Sequence, residues 1–411
     1  MKDSIEIATI IKRNGGNLFL VGGAVRDELL GKKVHDTDYC VTGISEEKFK
    51  TLFPEAFYRG KAFGIFDIGR REFALARRER KTGTGHKEFE IETNEKITIE
   101  EDLFRRDITI NAMAKDVLTG EIIDPYGGKS DLEKRVIRAV SEHFKEDPLR
   151  VYRVARFASG LEFKTEEDTI KMMNSLKEEL NTISVERVYE ELAKALLTSR
   201  PSIFFEALKK SDVLDVHFKE VNDLIGAEQP VKYHLEGDAF NHTMIVLDRA
   251  AKLTKDYDDT RKLEIRFGAL CHDLGKGATP KEEYPHHYMH ETTGVDRVCE
   301  MGNRLKLPTR LIKCGKTASK EHMRGGIFYD MKPSTKVEFI ERVYKSILGL
   351  DGLQIIVKSD KPEAKEFERL GKKCMEVING EYVKQKYGIQ DGIELGKRLH
   401  EERVSWIKRN I

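Results

Sequence analysis

The sequence has little cysteine: five residues in 411, Cys40, Cys271, Cys299, Cys314 and Cys374. They are widely spaced, odd in number and never in a Cys-x-x-Cys pair. They read as reduced thiols in a cytoplasmic protein rather than as a disulfide framework. Long apolar runs are also missing. The longest, such as Leu18 to Val25, fall far short of the roughly 20 residues that cross a bilayer, so no membrane partner is expected. The opening Met1-Lys2-Asp3-Ser4-Ile5-Glu6 has no apolar run behind its charges and does not read as a secretory signal. Internal repeats and low-complexity segments are lacking. So is any excess of one charge: 72 Lys+Arg stand against 71 Asp+Glu, a formal net charge of +1. That argues against a protein held on nucleic acid by overall charge, but not against a local basic surface.

Hydrophobic residues make up 39% and charged ones 35%, a balance that folds rather than staying disordered. The length predicts about two to four domains. Up to about residue 140 short apolar runs alternate with glycines and basic residues. Strands are expected at Asp38–Thr42, Gly64–Ile68, Glu72–Ala76 and Phe89–Ile91. Beyond about 145 apolar residues recur at three- and four-residue spacing, as in Pro148–Ala158, Val185–Leu197, Met244–Leu253 and Lys336–Leu348, which predicts helices. The expected fold class is α+β: an α/β head over 1–140, a helical neck over 141–227, a helical domain over 228–330 and a helical tail over 331–411.

The first chemical signal is Gly22-Gly23-Ala24-Val25-Arg26-Asp27, followed by Asp36-Thr37-Asp38. Two glycines end a strand and open a helix. Glycine lets the main chain approach a phosphate, and a helix N-terminus presents N–H groups to an anion. Arg26 adds a fork of donors. If Asp36 and Asp38 lie on one strand, their side chains share a face and suit Mg²⁺. A hard cation bridging carboxylates and a triphosphate is a common means of nucleotidyl transfer.

Four further stretches follow: Asp102-Leu-Phe-Arg105-Arg106-Asp107-Ile-Thr-Ile-Asn111; Asp124-Pro-Tyr-Gly127-Gly128; Glu146-Asp147-Pro-Leu-Arg150-Val-Tyr-Arg153-Val-Ala-Arg156-Phe157; and Glu186-Arg187-Val-Tyr-Glu190-Glu191. In this order they resemble the motifs of the tRNA nucleotidyltransferase (CCA-adding enzyme)/poly(A) polymerase family, class II, within the polymerase-β-type superfamily. The resemblance implies a polymerase-β-like head that adds CCA to the tRNA 3′ acceptor end from CTP and ATP. It implies Asp36 and Asp38 as catalytic residues holding Mg²⁺, and Gly23, Arg26 and Arg106 as triphosphate ligands. Asp147 and Arg150 would offer hydrogen-bonding atoms to the Watson–Crick edge of the incoming base. Arg153 and Arg156 would contact the triphosphate or adjust that pair. A third acid, Glu72 or Glu79, would complete the metal site. The basic stretch Arg59–Lys87, nine basic residues against three acidic, would carry a mobile loop centred on Gly-Thr-Gly that accompanies the final A addition.

The helical part carries Asn241-His242, Ala269-Leu-Cys-His272-Asp273-Leu-Gly-Lys-Gly and Pro285-His286-His287-Tyr-Met-His290. Adjacent His-Asp with histidines upstream and downstream is the arrangement of HD-type metal phosphohydrolases. His242, His272, Asp273 and His287 are the expected ligands of a divalent metal, Ni²⁺ or Mg²⁺. The helix around Leu311–Thr317 offers no acid as a further ligand. A head joined to an HD domain resembles gammaproteobacterial CCA-adding enzymes, which implies phosphatase, 2′-nucleotidase and 2′,3′-cyclic phosphodiesterase activities. The rivals are a poly(A) polymerase on the same scaffold and a phosphohydrolase with an RNA-binding head. Both monomer and homodimer are compatible with the sequence. The stretch Arg304–Lys345, eleven basic against four acidic, is a candidate for phosphate contacts with RNA.

Overall fold

The computed structural model describes residues 3–34, 36–59, 65–69, 71–81, 89–230, 232, 237–389 and 391–411. The chain forms two compact units, Met1–Ser184 with Lys210–Val213, and Val185–Lys209 with Leu214–Ile411. The division falls inside 141–227, and 228–411 lie together in the second unit.

The first unit carries the strands β1 (Asn17–Val21), β2 (Asp38–Thr42), β3 (Phe57–Arg59), β4 (Ile65–Ile68), β5 (Arg71–Leu75), β6 (Arg77–Lys81), β7 (Phe89–Thr93), β8 (Ala114–Asp116) and β9 (Ile122–Ile123). Seven of them form a mixed sheet in the order β3-β4-β5-β2-β1-β8-β9, and β6 pairs with β7 as a separate ribbon. The β2–β5 pair is parallel, whereas β1 runs antiparallel to β2 and β8. Both sheet faces are buried. Leu18, Tyr39 and Val41 pack with Ile7, Ile11, Phe49 and Phe73 on one side, and Phe19, Val21 and Cys40 with Ile97, Leu103 and Ala112 on the other. The strand period of two accounts for that split. The Gly-Thr-Gly centre of the basic loop lies outside the described residues, as do His35 and His234.

The expected helix at Pro148–Ala158 runs from Arg150 to Leu161, after Pro148, whose missing N–H suits a helix start. The second unit is helical. Its relevant members are Val185–Leu196, Ala239–Leu253, Asp259–Cys271, His290–Arg304, Thr309–Gly326, Pro333–Tyr344 and Gly349–Asp360. Asp238 caps Ala239–Leu253 by accepting from Asn241 N–H at 2.9 Å. Among the described residues no helix is long and apolar enough to cross a membrane.

Candidate functional site

The strand runs over Asp38–Thr42 as expected, so the condition that both acids share it is not met and Asp36 lies just before it. The cause is the partner strand. Val21 pairs with Asp38 and is the last residue of β1, because the chain turns away at Gly22. Both carboxylates are exposed. Desolvation beside the sheet lifts the Asp38 carboxyl, Arg106 lowers it, and the charge of Asp36 lifts it again. The two acids and Arg106 thus share one field. In the parallel register Asp38 stands beside Glu72, which receives Arg59 Nη1 at 3.4 Å. Glu79 is one strand further, on the β6–β7 ribbon.

Gly22 has φ +70° and ψ −135°, a conformation that favours glycine. A Cβ there would stand 3.0 Å from Arg106 Nη1, so the guanidinium lies against the turn. Arg106 is oriented by Asp102 (Nη2 to Oδ2 3.2 Å), and Arg105 by the same carboxylate (2.7 Å). Asp102 is 1% exposed. Burial acts to raise its pKa, but Arg105 and then Arg106 outweigh it and hold the carboxyl at about 2. Arg26 donates to Asn111 Oδ1 at 2.7 Å, which links the glycine turn to the Arg105–Asn111 motif.

The helix Arg150–Leu161 contributes a ring. The guanidinium carbons of Arg26, Arg153 and Arg156 lie 5.5, 5.5 and 4.0 Å from the centroid of Phe157. Phe157 is therefore the surface on which three candidate phosphate ligands assemble. Its position next to Arg156 in the motif is the one signal for it. Arg153 also donates to buried Asp107 at 2.8 Å. Arg150 and Asp147 both make main-chain contacts. Arg150 is 9% exposed and donates to the carbonyls of His143 (2.6 Å) and Arg105 (2.8 Å). Asp147 accepts from Leu149 N–H at 3.1 Å. Here Arg150 faces the main chain and ties its helix to the Arg105–Arg106 turn.

The second unit holds a buried cluster centred on Asp273, which is 2% exposed. One carboxylate oxygen, Oδ2, lies 3.2 Å from His272 Nε2 and 3.7 Å from His242 Nε2. The other, Oδ1, lies 3.4 Å from His290 Nε2 and 3.3 Å from His322 Nε2. His242, His272 and Asp273 form one group with metal-ligating reach, and Asp273, His290 and His322 form a second. Asp273 belongs to both. Asp360, ending its helix, places Oδ1 3.1 Å from His242 Nε2.

The histidine tautomers are set from outside the cluster. Nδ1 of His272 faces Ala269 O at 2.7 Å, that of His290 faces His287 O at 2.7 Å, and that of His322 faces Ser319 O at 2.9 Å. Each Nδ1–H donates outward, which leaves Nε2 to face the centre. His272 Nε2 and Asp273 Oδ1 are buried, and among the described residues their close neighbours in the cluster do not meet them in hydrogen-bond geometry. Imidazole nitrogens plus carboxylates, with orphaned buried atoms, fit a divalent metal. Burial opposes ionisation of Asp273, but His272 and Lys276 hold its carboxyl well below the usual range. Lys276 Nζ sits 2.6 Å from Asp273 Oδ2 and 2.6 Å from Gln229 Oε1. The close approach depends on Gly275, where a Cβ would lie 2.0 Å from His290 O.

Two sequence expectations are corrected here. His287 is not brought to the cluster: its nitrogens are engaged by Thr279 Oγ1 (2.9 Å) and Glu228 O (2.8 Å). It lies in the turn before the helix, whereas His290 opens the helix and faces inward. An acid beyond Leu311–Thr317 is present after all: Asp360, from a helix the spacing did not connect with the site. His322 was likewise not selected from its mid-helix position. The sequence signal for Asp360 is weak: a carboxylate three residues beyond Val357, at the end of the helical stretch.

Three family models match the chain: the poly A polymerase head domain over residues 18–138, the probable RNA and SrmB-binding site of polymerase A over 162–225, and the HD domain over 239–341. A multifunctional CCA protein of Haemophilus influenzae (strain PittGG) is 43% identical over 332 residues, 79% of each chain. One from Acinetobacter baylyi is 41% identical over 334 residues, 79% of this chain and 78% of that one. Among solved structures, a tRNA nucleotidyltransferase complexed with a primer tRNA and an incoming ATP analog is 25% identical, with TM-score 0.60 over 90% of this chain and 99% of that chain. A CCA-adding enzyme in an apo form, 21% identical, shares the fold with TM-score 0.66 over 98% of this chain and 89% of that chain.

Proposed function

The chain belongs to the multifunctional CCA protein family, and on that premise we propose that it adds CCA to the 3′ end of tRNA from CTP and ATP, without a nucleic-acid template and with release of pyrophosphate. The observation that carries this reading is the cationic cradle beside two exposed acids. Arg106 lies against the Gly22–Gly23 turn, and Arg26, Arg153 and Arg156 gather on Phe157. Four guanidiniums suit a triphosphate, which presents oxygens in every direction. Asp36 and Asp38 would hold Mg²⁺, and the register favours Glu72 over Glu79 as the third acid. Bound there, the ion supplies charge neutralisation at the reacting phosphate. Arg105 and Arg106 are preset by Asp102, so little reorganisation is needed when nucleotide arrives. Base selection by Asp147 and Arg150 requires Arg150 to exchange its main-chain acceptors for the base.

The Asp273 cluster supports a second activity, a metal-dependent phosphohydrolase acting on 2′,3′-cyclic nucleotides and phosphomonoesters. His242, His272, Asp273, His290, His322 and Asp360 would hold one or two divalent ions, Ni²⁺ or Mg²⁺. Such ions supply Lewis acidity and acidify water at neutral pH. Lys276 adds a fixed positive charge beside Asp273.

The test is incubation with a tRNA lacking CCA and labelled CTP and ATP. Three additions in the order C, C, A are expected; an unbounded run of A would point to a poly(A) polymerase. Asp36→Ala should abolish incorporation and leave cyclic-nucleotide hydrolysis intact. Unchanged CTP incorporation in that variant would overturn the reading.

A further inference from the structure

The second unit contains a cavity of about 710 Å³ far in sequence from the head motifs. Its walls come from Leu197–Arg200, from Ile245 to Lys252 of helix Ala239–Leu253, from Lys255, and from Lys262 and Arg266 of helix Asp259–Cys271. Six cations line it, and three have their charge compensated: Arg200 by Asp248 (3.2 Å), Lys262 by Asp259 (3.1 Å) and Lys255 by Asp256 (3.9 Å). The other three, Arg249, Lys252 and Arg266, have no carboxylate within ion-pair distance among the described residues.

Arg266 is the informative one. It is 2% exposed, and among the described residues it makes no ion pair. It donates to Thr254 Oγ1, Leu196 O, Thr198 O and Ala251 O at 2.7–3.0 Å. Those bonds use four of the five N–H groups of a guanidinium and leave one on Nη2. A buried cation held by neutral dipoles, with Asp259 acting on it only from beyond ion-pair distance, is costly, and an anion entering the cavity would relieve that cost. Arg249 donates to Ser359 O at 3.1 Å, and Lys252 is exposed at the rim. Leu197, Ile245 and Ala251 give the lining an apolar part, beside Thr198, Ser199 and Asp248, the carboxylate already paired with Arg200. The volume lies within the range of small-ligand sites.

We propose that this cavity binds a free nucleoside phosphate, its phosphate among Arg249, Lys252 and Arg266 and its base and ribose on Leu197, Ile245 and Ala251. Three uncompensated positive charges match one phosphate group, and the apolar wall suits a ring. A continuous RNA backbone fits less well, because Arg266 is reached only by a group that enters the cavity. The site is separate from the nucleotide site of the head and does not depend on how the head is read. It sits on the two helices that bring His242 and His272 to the metal cluster.

The probe is AMP, with the full chain in EDTA, which weakens metal-dependent binding elsewhere. Equilibrium dialysis should give one AMP per chain. Arg249→Glu with Lys252→Glu should weaken binding at least tenfold, whereas Lys313→Glu should not. Both changed side chains are exposed, and CTP incorporation at the parental rate will show that the double variant is folded. Cross-linking with 8-azido-AMP should label residues 197–200 or 245–266. The proposal falls if AMP does not bind, if the label maps to the head alone, or if the double variant binds AMP like the parent. It also falls if that variant changes only the KM for tRNA, which would make the patch an RNA contact.

Discussion

Asp102→Asn is the most discriminating single change in the head. The carboxylate is almost fully buried, and its two oxygens divide between Arg105 and Arg106, with the Arg77 N–H also at 3.4 Å. Asparagine keeps the shape, loses the charge and offers one acceptor instead of two. The magnitude follows from the depressed pKa. A drop from 3.8 to about 2, at 1.36 kcal/mol per unit, is worth about 2 kcal/mol of stability. The sign is fixed: the folded state binds the proton less tightly, so this stability is fully present above pH 3.8 and is lost as pH falls towards 2. Urea unfolding of the full chain, followed by hydrogen exchange in peptides covering 99–111, should show the first unit weakened by that amount at pH 7. The gap between parent and variant should narrow from pH 4 downwards. The KM for CTP should rise severalfold, because Arg106 loses the group that aims it at the Gly22 turn, while cyclic-nucleotide hydrolysis should not change. Equal stability at pH 7, or a gap that widens in acid, would refute the assignment of Asp102 as the anchor of both arginines.

Other outcomes follow from the same geometry. Asp360→Ala should reduce bound divalent metal, measured by elemental analysis, by tenfold or more and abolish hydrolysis, whereas His287→Ala should retain metal within about twofold. Gly275→Ala should uncouple the Asp273 turn from the His290 helix; loss of metal with normal CTP incorporation is expected, and normal metal content would contradict the contact at His290 O. His217 is buried, and burial, aided by Arg304, lowers its pKa from 6.5 to about 4. The neutral form is the folded one, so stability should fall as pH drops from 6.5 towards 4, by up to about 3 kcal/mol. His217→Gln should flatten that part of the pH–stability curve.

The head was legible because its chemistry is contiguous. Gly22–Arg26, Asp36–Asp38 and Asp102–Asn111 are each short stretches of chain, so short spacing carries much of the geometry. What escaped was the consequence of pairing: β1 ends at Val21, which leaves Asp36 outside the sheet, and Arg150 turns to main-chain carbonyls. The Asp273 cluster was legible only at His242 and His272-Asp273. Its other members come from three further helices, where spacing carries no information and helical phase decides. Between His287 and His290 the difference is three residues and the start of a helix. For Asp360 it is the packing of the helix Gly349–Asp360 against those bearing His242 and His272.

Charge shows the same limit most clearly. By sequence, Arg304–Lys345 holds a surplus of seven positive charges, eleven against four. In the fold much of it is already matched: Arg304 meets Glu220, Lys306 meets Glu186, Arg310 meets Glu264, and Arg324 and Arg342 share Glu321. Lys336 is 4% exposed and donates to the carbonyls of Tyr329 and Met331. The acids that neutralise the segment include Glu220, from the stretch Ser211–Phe240, whose seven acids against two lysines looked like a separate negative region. By contrast, residues 245–266 hold six basic and five acidic side chains and attract no notice in the sequence. Yet Arg249, Lys252 and Arg266 come together there without counter-ions. Charge that a ligand can use is what remains after the fold has paired the rest, and pairing is set by contacts between segments remote in sequence. A net charge of +1 is therefore compatible with two local groups of arginine and lysine, one at the Gly22 turn and one around Arg266.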